Sequence, residues 1–293
     1  MFVEARTRPI LAKVCQHLGL PADRATLIRH HTNAVYAVGD AVIKIAPPDI
    51  AADDVRPSIA LVRWLTSQGF PTAPLYDIDQ PLEIDGHTIT VWRRLNPAIE
   101  NPVTAGELGH LLRLLHALPT PPIALKPLEP ISRIRRSIKT SAILTDDDRD
   151  FLHTRLDQLA KIWADMPFTL SPGLIHADPQ THNALCASEG CAVLTDWDTA
   201  AIGPREWDVA TIAVHCRRFT PTDPDAFVSF ITAYGWDPAA WHHFENLCRL
   251  RELKMIVTNA RKSRPGSSAA NEVHRRLAAL RADPHDALPW HLL

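Results

Sequence analysis

A chain of 293 residues is long enough for two domains or for one domain split into lobes, and it can bury a large core without staples. Its formal net charge of −2, with no long block of one sign, leaves no electrostatic footprint for nucleic acid or an anionic membrane. No stretch has the length and apolarity of a membrane span, the segment around Glu4, Arg6 and Arg8 does not read as a signal peptide, and 5 cysteines make no disulfide framework, so a reducing cytoplasm is expected.

In chain order, residues 8–18 read as a helix, with Pro9 near its start, Ile10, Leu11, Val14, Cys15 and Leu18 as its stripe and Gly19 as its stop. Three β-like runs follow, Thr26–Thr32, Ala34–Val38 and Ala41–Ala46, the last two joined by the two-residue turn Gly39-Asp40. Residues 58–68 have helical spacing, and strands are expected near 72–79 and 88–94, with Asp85-Gly86 as a turn before the second. Asn96-Pro97 and Asn101-Pro102 then mark a loop and a lobe boundary. Beyond it Thr104 and Glu107 make a capping box for a helix carrying Leu108, Leu111, Leu112 and Leu115. Five prolines between Pro119 and Pro130 imply an irregular connector. Further helices are predicted over 131–140, 146–164 (capped by Thr145), 206–218, 224–234, 238–262 and 269–282. The pattern divides the chain into a β-rich segment, 1–95, and a helical one, 96–293.

The chemistry concentrates between Leu174 and Ala210. His176-Ala177-Asp178 precedes Asn183, and two β-like runs around Ser188-Glu189-Gly190 lead to Asp196-Trp197-Asp198. Phosphoryl transfer needs a carboxylate to orient an attacking hydroxyl and take its proton, and hard oxygen ligands for Mg²⁺. Asp178 suits the first task, and Asn183 and Asp196 suit the second. The plain alternative, a turn at Asp178-Pro179 and solvated charges at a strand end, accounts for each residue singly but not for His176, Asp178, Asn183, a hairpin and Asp196 in succession.

The segment resembles the catalytic core of aminoglycoside phosphotransferases and related small-molecule kinases. That family carries His-Gly-Asp, an asparagine five residues after the aspartate, then Ile-Asp-Trp/Phe-Glu/Asp, and often continues with Gly-Pro and a helix start containing aspartate. Here the continuation is Gly203-Pro204-Arg205-Glu206-Trp207-Asp208. The similarity runs from about residue 26 to 260 and includes Leu108–Leu118. It implies an α+β, bilobal, protein-kinase-like fold with a small β-rich N-lobe (1–95) that binds nucleotide and a larger helical C-lobe (96–293) that binds substrate. It implies ATP or GTP as co-substrate, Mg²⁺ as cofactor and a hydroxylated small molecule as acceptor. It also implies that Asp208 is a structural carboxylate accepting amide hydrogens from the catalytic loop, and that His176 orders the same loop. Ala177 replaces the usual glycine, adding one methyl, and Pro179 stiffens the loop.

At the nucleotide end, the family places a phosphate-contacting lysine on a strand like Val42-Ile43-Lys44-Ile45. A solvent-facing edge lysine is the alternative that the downstream motif argues against. His31-Thr32-Asn33-Ala34 resembles the nucleotide-covering loop and reads equally as an ordinary hairpin turn. The stretch Trp92-Arg93-Arg94-Leu95 matches the adenine-binding hinge, with Trp92 equally readable as core. A helix glutamate that would pair with the lysine is expected where Ser58 stands. Asp53 or Asp54 could replace it from the preceding turn, or Lys44 could go unpaired. Ser58 is also the argument for the alternative function, a catalytically weak nucleotide-binding or scaffold protein. Asp198 is open between a second Mg²⁺, the substrate and solvent.

Cys186 and Cys191 flank the hairpin turn, and the reducing context favours two thiols over a disulfide there. No spaced Cys/His set suggests zinc. The acceptor stays open: from residue 171 onward there are 14 Asp plus Glu and 12 Lys plus Arg, a near balance that fits an aminoglycoside, and hence antibiotic resistance, no better than a sugar, a macrolide-like compound or another hydroxylated metabolite. Oligomeric state is not readable.

Overall fold

The computed structural model describes residues 4–30, 33–95, 102–186, 192–219, 223–282 and 288–293. The chain forms two compact units. One comprises Met1–Val103, Leu118–Leu125 and Thr181–Ala200, the other Thr104–Ala117, Lys126–Gln180 and Ala201–Leu293. Of the expected boundary loop, residues 96–101 lie outside the described residues.

The first unit opens with α1 (Glu4–Leu18), β1 (Thr26–His30), β2 (Ala34–Val38), β3 (Ala41–Ile45), α2 (Ala52–Ser67), β4 (Leu82–Ile84) and β5 (His87–Arg93). The strands form one antiparallel sheet in the order β1-β2-β3-β5-β4. Ile10, Leu11, Val14 and Cys15 of α1 share a buried cluster with Tyr36, Ile43, Ile89 and Val91 of the sheet. The β4–β5 turn is Asp85-Gly86, both at positive φ (51° and 73°), as a two-residue hairpin whose twist matches its strands requires.

Both helices start earlier than expected. α1 reaches back to Glu4 with Pro9 inside it, and α2 to Ala52 with Pro57 inside it. Each proline removes one backbone hydrogen bond. Burial of Ile59, Leu61, Val62 and Leu65 on α2, and of the α1 stripe, outweighs that loss. The strand expected near 72–79 is absent: Pro71 and Pro74 cannot donate to a ladder, and the segment makes only single bridges, Thr72 to Leu194 and Leu75 to Trp92.

The second unit carries α3 (Ala105–Ala117), α4 (Pro130–Thr140) and α5 (Asp146–Ala164). The capping box at Thr104 and Glu107 is present, and Thr145 caps α5 reciprocally with Asp148. The segment between α3 and α4 is irregular, as its prolines implied. Then β6 (Gly173–Ile175) leads into the loop that carries Asp178. The hairpin β7 (Ala184–Cys186) and β8 (Ala192–Leu194) belongs to the first unit, and its turn, with Cys191, lies outside the described residues. β9 (Ala201–Gly203) pairs antiparallel with β6. α6 (Glu206–Phe219), α7 (Ala226–Tyr234), α8 (Phe244–Lys262) and α9 (Ser268–Ala282) complete the second unit. The helix predicted over 238–262 is interrupted: Pro238–Ala240 is a single tight turn, Trp241 is extended and donates its indole hydrogen to the Pro167 carbonyl at 3.0 Å, and α8 begins only at Phe244. No described helix is long and apolar enough to cross a membrane.

α3 and α7 pack closely because of Gly109. A Cβ there would lie 2.5 Å from the Phe230 carbonyl oxygen and 3.2 Å from the Ala233 methyl. Gly109→Ala should therefore cost about 1–3 kcal/mol of stability. Gly106→Ala, whose new methyl would meet chiefly the movable Ser229 hydroxyl at 2.7 Å, should cost less. Urea or thermal unfolding of the two variants checks the order, and equal losses would refute it.

Candidate active site

In the second unit the site is organised around a carboxylate that faces no solvent. Asp208, in the first turn of α6, is 0 % exposed. One of its oxygens accepts the His176 amide at 2.8 Å, and the other accepts the Ala177 amide at 2.8 Å. The His116 ring from α3 lies 3.2 Å from the first oxygen, and its other nitrogen is 2.7 Å from the Tyr234 hydroxyl. Trp207 adds a hydrogen bond from its indole to the Ala177 carbonyl at 3.1 Å. The loop after β6 is thus held by both its amides and its carbonyl. Ala177 has φ 65°, a left-handed conformation that glycine adopts freely and alanine does not. The alanine in place of the family's glycine therefore changes more than one methyl: it loads the residue before Asp178 with backbone strain of about 1–2 kcal/mol.

Asp178 follows. Its Oδ1 pairs with the Arg251 guanidinium of α8, and its Oδ2 accepts from Gln180 at 3.3 Å. Arg251 is 3 % exposed, donates to the Thr211 hydroxyl at 2.8 Å and lies over the Trp207 ring. Burial of Asp178 works against its charge, but Arg251, helped by Lys254, His215 and His176, outweighs it and holds the carboxyl at about 2. Asp178 is thus ionised throughout the neutral range.

In the first unit, the hairpin presents Asn183, Asp196 and Asp198. The Thr195 amide donates to the Asn183 carbonyl at 2.8 Å, so Asn183 and Asp196 lie at one end of the hairpin. The Leu194 backbone is fixed by the Pro71 carbonyl and the Ala73 amide, both at 3.0 Å. Trp197, 2 % exposed, anchors the next turn through a 2.8 Å hydrogen bond to the Thr72 hydroxyl and edge contact with Phe70. Between these anchors Asp196 takes φ 63°, a strained conformation for a residue other than glycine.

Lys44 lies on β3, opposite Val35 and Thr90. Its ammonium is 2.5 Å from Asp198 and 3.4 Å from Asp196, and Arg29 of β1 approaches Asp196 at 3.8 Å. Burial opposes the lysine's charge, but the two carboxylates outweigh it and raise its pKa. The sequence left the lysine's partner open between Asp53, Asp54 and none, and the partners are Asp198 and Asp196. Asp53 and Asp54 belong to the first turn of α2, where Asp53 pairs with Arg56, and the Ser58 hydroxyl bonds back to the Val55 carbonyl.

Of the other nucleotide-end candidates, Trp92 and Arg93 lie on β5, the strand that pairs with β3. Trp92 is half-buried and donates to Thr90 at 3.0 Å. Arg93 lies over the Tyr76 ring and 3.6 Å from Asp40. Asn33 and Leu95 are half-buried, and His31, Thr32 and residues 96–101 lie outside the described residues. Among the described residues no three His, Cys, Asp or Glu side chains could together hold a metal ion. Magnesium bound with a nucleotide needs fewer protein ligands, since phosphates and water fill its remaining positions, and an amide and a carboxylate oxygen at one hairpin end are donors of the right kind.

The model of the phosphotransferase enzyme family matches residues 24–244. The chain belongs to that family. It is a phosphotransferase that takes an alcohol group as acceptor, a small-molecule kinase on the protein-kinase-like fold. No curated protein sequence matches it. Its similarity to solved structures spans nearly the whole length of each. The amicoumacin kinase hAmiN, in complex with AMP-PNP, Ca²⁺ and Ami, aligns over 99 % of this chain and 98 % of its own at TM-score 0.77 and 15 % identity. A choline/ethanolamine kinase family protein from Mesorhizobium loti aligns over 96 % and 95 % at 0.67 and 17 %. The choline kinase LicA from Streptococcus pneumoniae aligns over 94 % and 98 % at 0.68 and 12 %.

Two residues of this kinase escaped the sequence reading, Arg251 and Lys254. Their signal was there: on α8, Leu247, Arg251 and Lys254 share one helical face, so two cations interrupt an apolar stripe. The Lys254 ammonium lies 5.4 Å from the Trp207 ring centre. Burial, then Arg251, lower its pKa to about 7, with Asp178 only partly offsetting them and Arg133 adding to them. The ordinary value is 10.5, so the unfolded chain holds this proton more tightly, and stability through this group rises with pH between about 7 and about 10.5. Lys254→Met should therefore melt higher than the wild type at pH 7, with the gap narrowing towards pH 10. A gap independent of pH would show that the ammonium bears no such penalty.

Proposed function

We propose that this enzyme moves the γ-phosphoryl group of ATP or GTP to a hydroxyl of an aminoglycoside-like compound, a sugar or another hydroxylated metabolite, in the cytoplasm. Asp178 orients the acceptor hydroxyl and takes its proton. Asn183 and Asp196 hold Mg²⁺, which when bound neutralises charge on the nucleotide phosphates. Lys44 contacts those phosphates, and Asp198 keeps the lysine charged and in place before nucleotide arrives. His176 and Asp208 shape the loop that carries Asp178. Asn33 and the Trp92–Leu95 stretch are assigned to the nucleotide on resemblance alone.

The observation that carries this reading is the Lys44 ammonium seated between Asp198 and Asp196, at the end of a hairpin that also bears Asn183. A scaffold protein with a vestigial site would have no need for a strained Asp196 clamped on both sides. Ser58 is a weak argument for that alternative, because two carboxylates supply what a helix glutamate would. Asp178, with its pKa far below neutrality, is a weak base in the resting enzyme. Its task is first to orient the hydroxyl and then to accept a proton that leaves late, as phosphoryl transfer with a loose transition state allows.

Asp196→Ala should abolish Mg²⁺-dependent nucleotide binding, measured by calorimetry, while the protein still melts cooperatively. Unchanged ATP affinity would remove Asp196 from the metal site. Asp178→Asn should keep Mg-ATP binding and lower transfer to the acceptor by roughly 10²–10⁴-fold, the usual worth of a positioned base. Loss of nucleotide binding in that variant would instead make Asp178 a metal ligand.

A further inference from the structure

The surroundings of Asp178 carry a charge pattern that bears on the acceptor, and the inference drawn from it rests on the function proposed above. Asp178 is matched by Arg251, which Thr211 also holds. One turn further along α8, on the same side, Lys254 lies over the Trp207 ring. Among the described residues it has no hydrogen bond and no carboxylate within ion-pair distance. Arg133 of α4 adds a third positive charge near enough to act on Lys254. α4 itself carries Arg133, Arg135, Arg136 and Lys139 and no acidic residue. Besides Asp178, the neighbouring carboxylates offset these cations little: Asp208 acts on Lys254 only from beyond ion-pair distance. Asp208 is 0 % exposed and bound to two amides, and Glu206, also 0 % exposed, accepts the Thr169 and Leu170 amides at 2.6 Å. One ionised Asp178 therefore stands among three cations.

We propose that the acceptor is a hydroxylated acid, bearing a carboxylate, phosphate or sulfonate, and that Lys254, with Arg133 on the α4 helix packed against α8, binds that anionic group while Asp178 addresses the hydroxyl. A half-buried ammonium without a counter-ion is costly to maintain. An anionic group supplies the missing partner, and a charge-assisted hydrogen bond orients the substrate as well as binding it. A polycationic aminoglycoside or a quaternary amine would add charge of the same sign beside Lys254 and Arg251. The Trp207 face does not provide a cation-binding surface either, because the chain's own cations, Arg251 and Lys254, already lie over it.

The test uses the full chain with Mg-ATP and a coupled assay for ADP. Acceptors are compared in sets of similar shape and different charge: D-glucuronate, D-glucose and D-glucosamine; D-glycerate, glycerol and 2-amino-1,3-propanediol; with choline and kanamycin as further cations. The expected result is that the acid has the highest kcat/KM in its set. Lys254→Met should then raise KM for the acid by about 10- to 100-fold, the worth of one hydrogen bond to a charged group, with the KM for ATP unchanged. Lys254→Arg should retain the preference. Faster turnover of a neutral or cationic acceptor, or turnover of no acid in the panel, overturns the proposal. So does a rise in the KM for ATP in Lys254→Met, which would assign the ammonium to the nucleotide phosphates. Mg²⁺-dependent nucleotide binding is measured on the same preparation. Its absence overturns the kinase reading itself, whereas intact binding with a preference for cations overturns only the acceptor assignment.

Discussion

The second unit depends on one buried carboxylate. Asp208 receives the amides of His176 and Ala177, and the His116 ring backs it from α3. A buried charge is tolerated only when hydrogen bonds replace the water it has lost. Here those bonds come from the loop that carries Asp178, so the stability of the core and the position of that aspartate are one arrangement. The loop bears a cost for it, since Ala177 sits in the left-handed region. The same device recurs in the first unit, where Asp196 is strained between the ladder at Leu194 and the buried Trp197. Strain of this kind persists only where the surroundings over-determine the backbone, and it marks both aspartates as positioned rather than incidental.

Lys44 and Lys254 make a pair of opposites. Both are lysines drawn partly out of water. At Lys44 two carboxylates outweigh burial and the pKa rises, whereas at Lys254 burial, then Arg251, outweigh Asp178 and the pKa falls. Burial alone pushes both the same way, so nearby charge decides the outcome. The first lysine is held as a cation by Asp198 and Asp196. The second is held in a state that a bound anion would relieve, which is the trade of stability for binding expected at a functional site.

The near balance of acidic and basic residues after residue 171 concealed this. Total charge says nothing about which carboxylates are already spent. Asp208 and Glu206 count towards an acidic segment, yet both are consumed by backbone amides. Glu252 and Glu272 are likewise taken up by Arg218, Arg275 and Arg276. What remains around Asp178 is basic.

The sequence by itself determined the elements with a local cause. The capping boxes at Thr104 and Thr145, the two-residue turns at Gly39-Asp40 and Asp85-Gly86, the irregular proline-rich connector and the apolar stripes are set by residues a few positions apart, and they were legible for that reason. So was the succession of His176, Asp178, Asn183 and Asp196, because those groups must sit at fixed spacing on one loop and one hairpin. The early starts of α1 and α2 were not legible, since burial of their apolar faces overrode Pro9 and Pro57. Nor was the missing strand after Phe70, where Pro71 and Pro74 interrupt the row of donors that a ladder needs. Tertiary structure alone decided the partners of Lys44, which lie 152 and 154 residues away in sequence. It also decided the pairing of Asp178 with Arg251, 73 residues on. Such contacts are fixed by which faces are buried against each other, and electrostatics, acting through space rather than along the chain, becomes readable only once those faces have met.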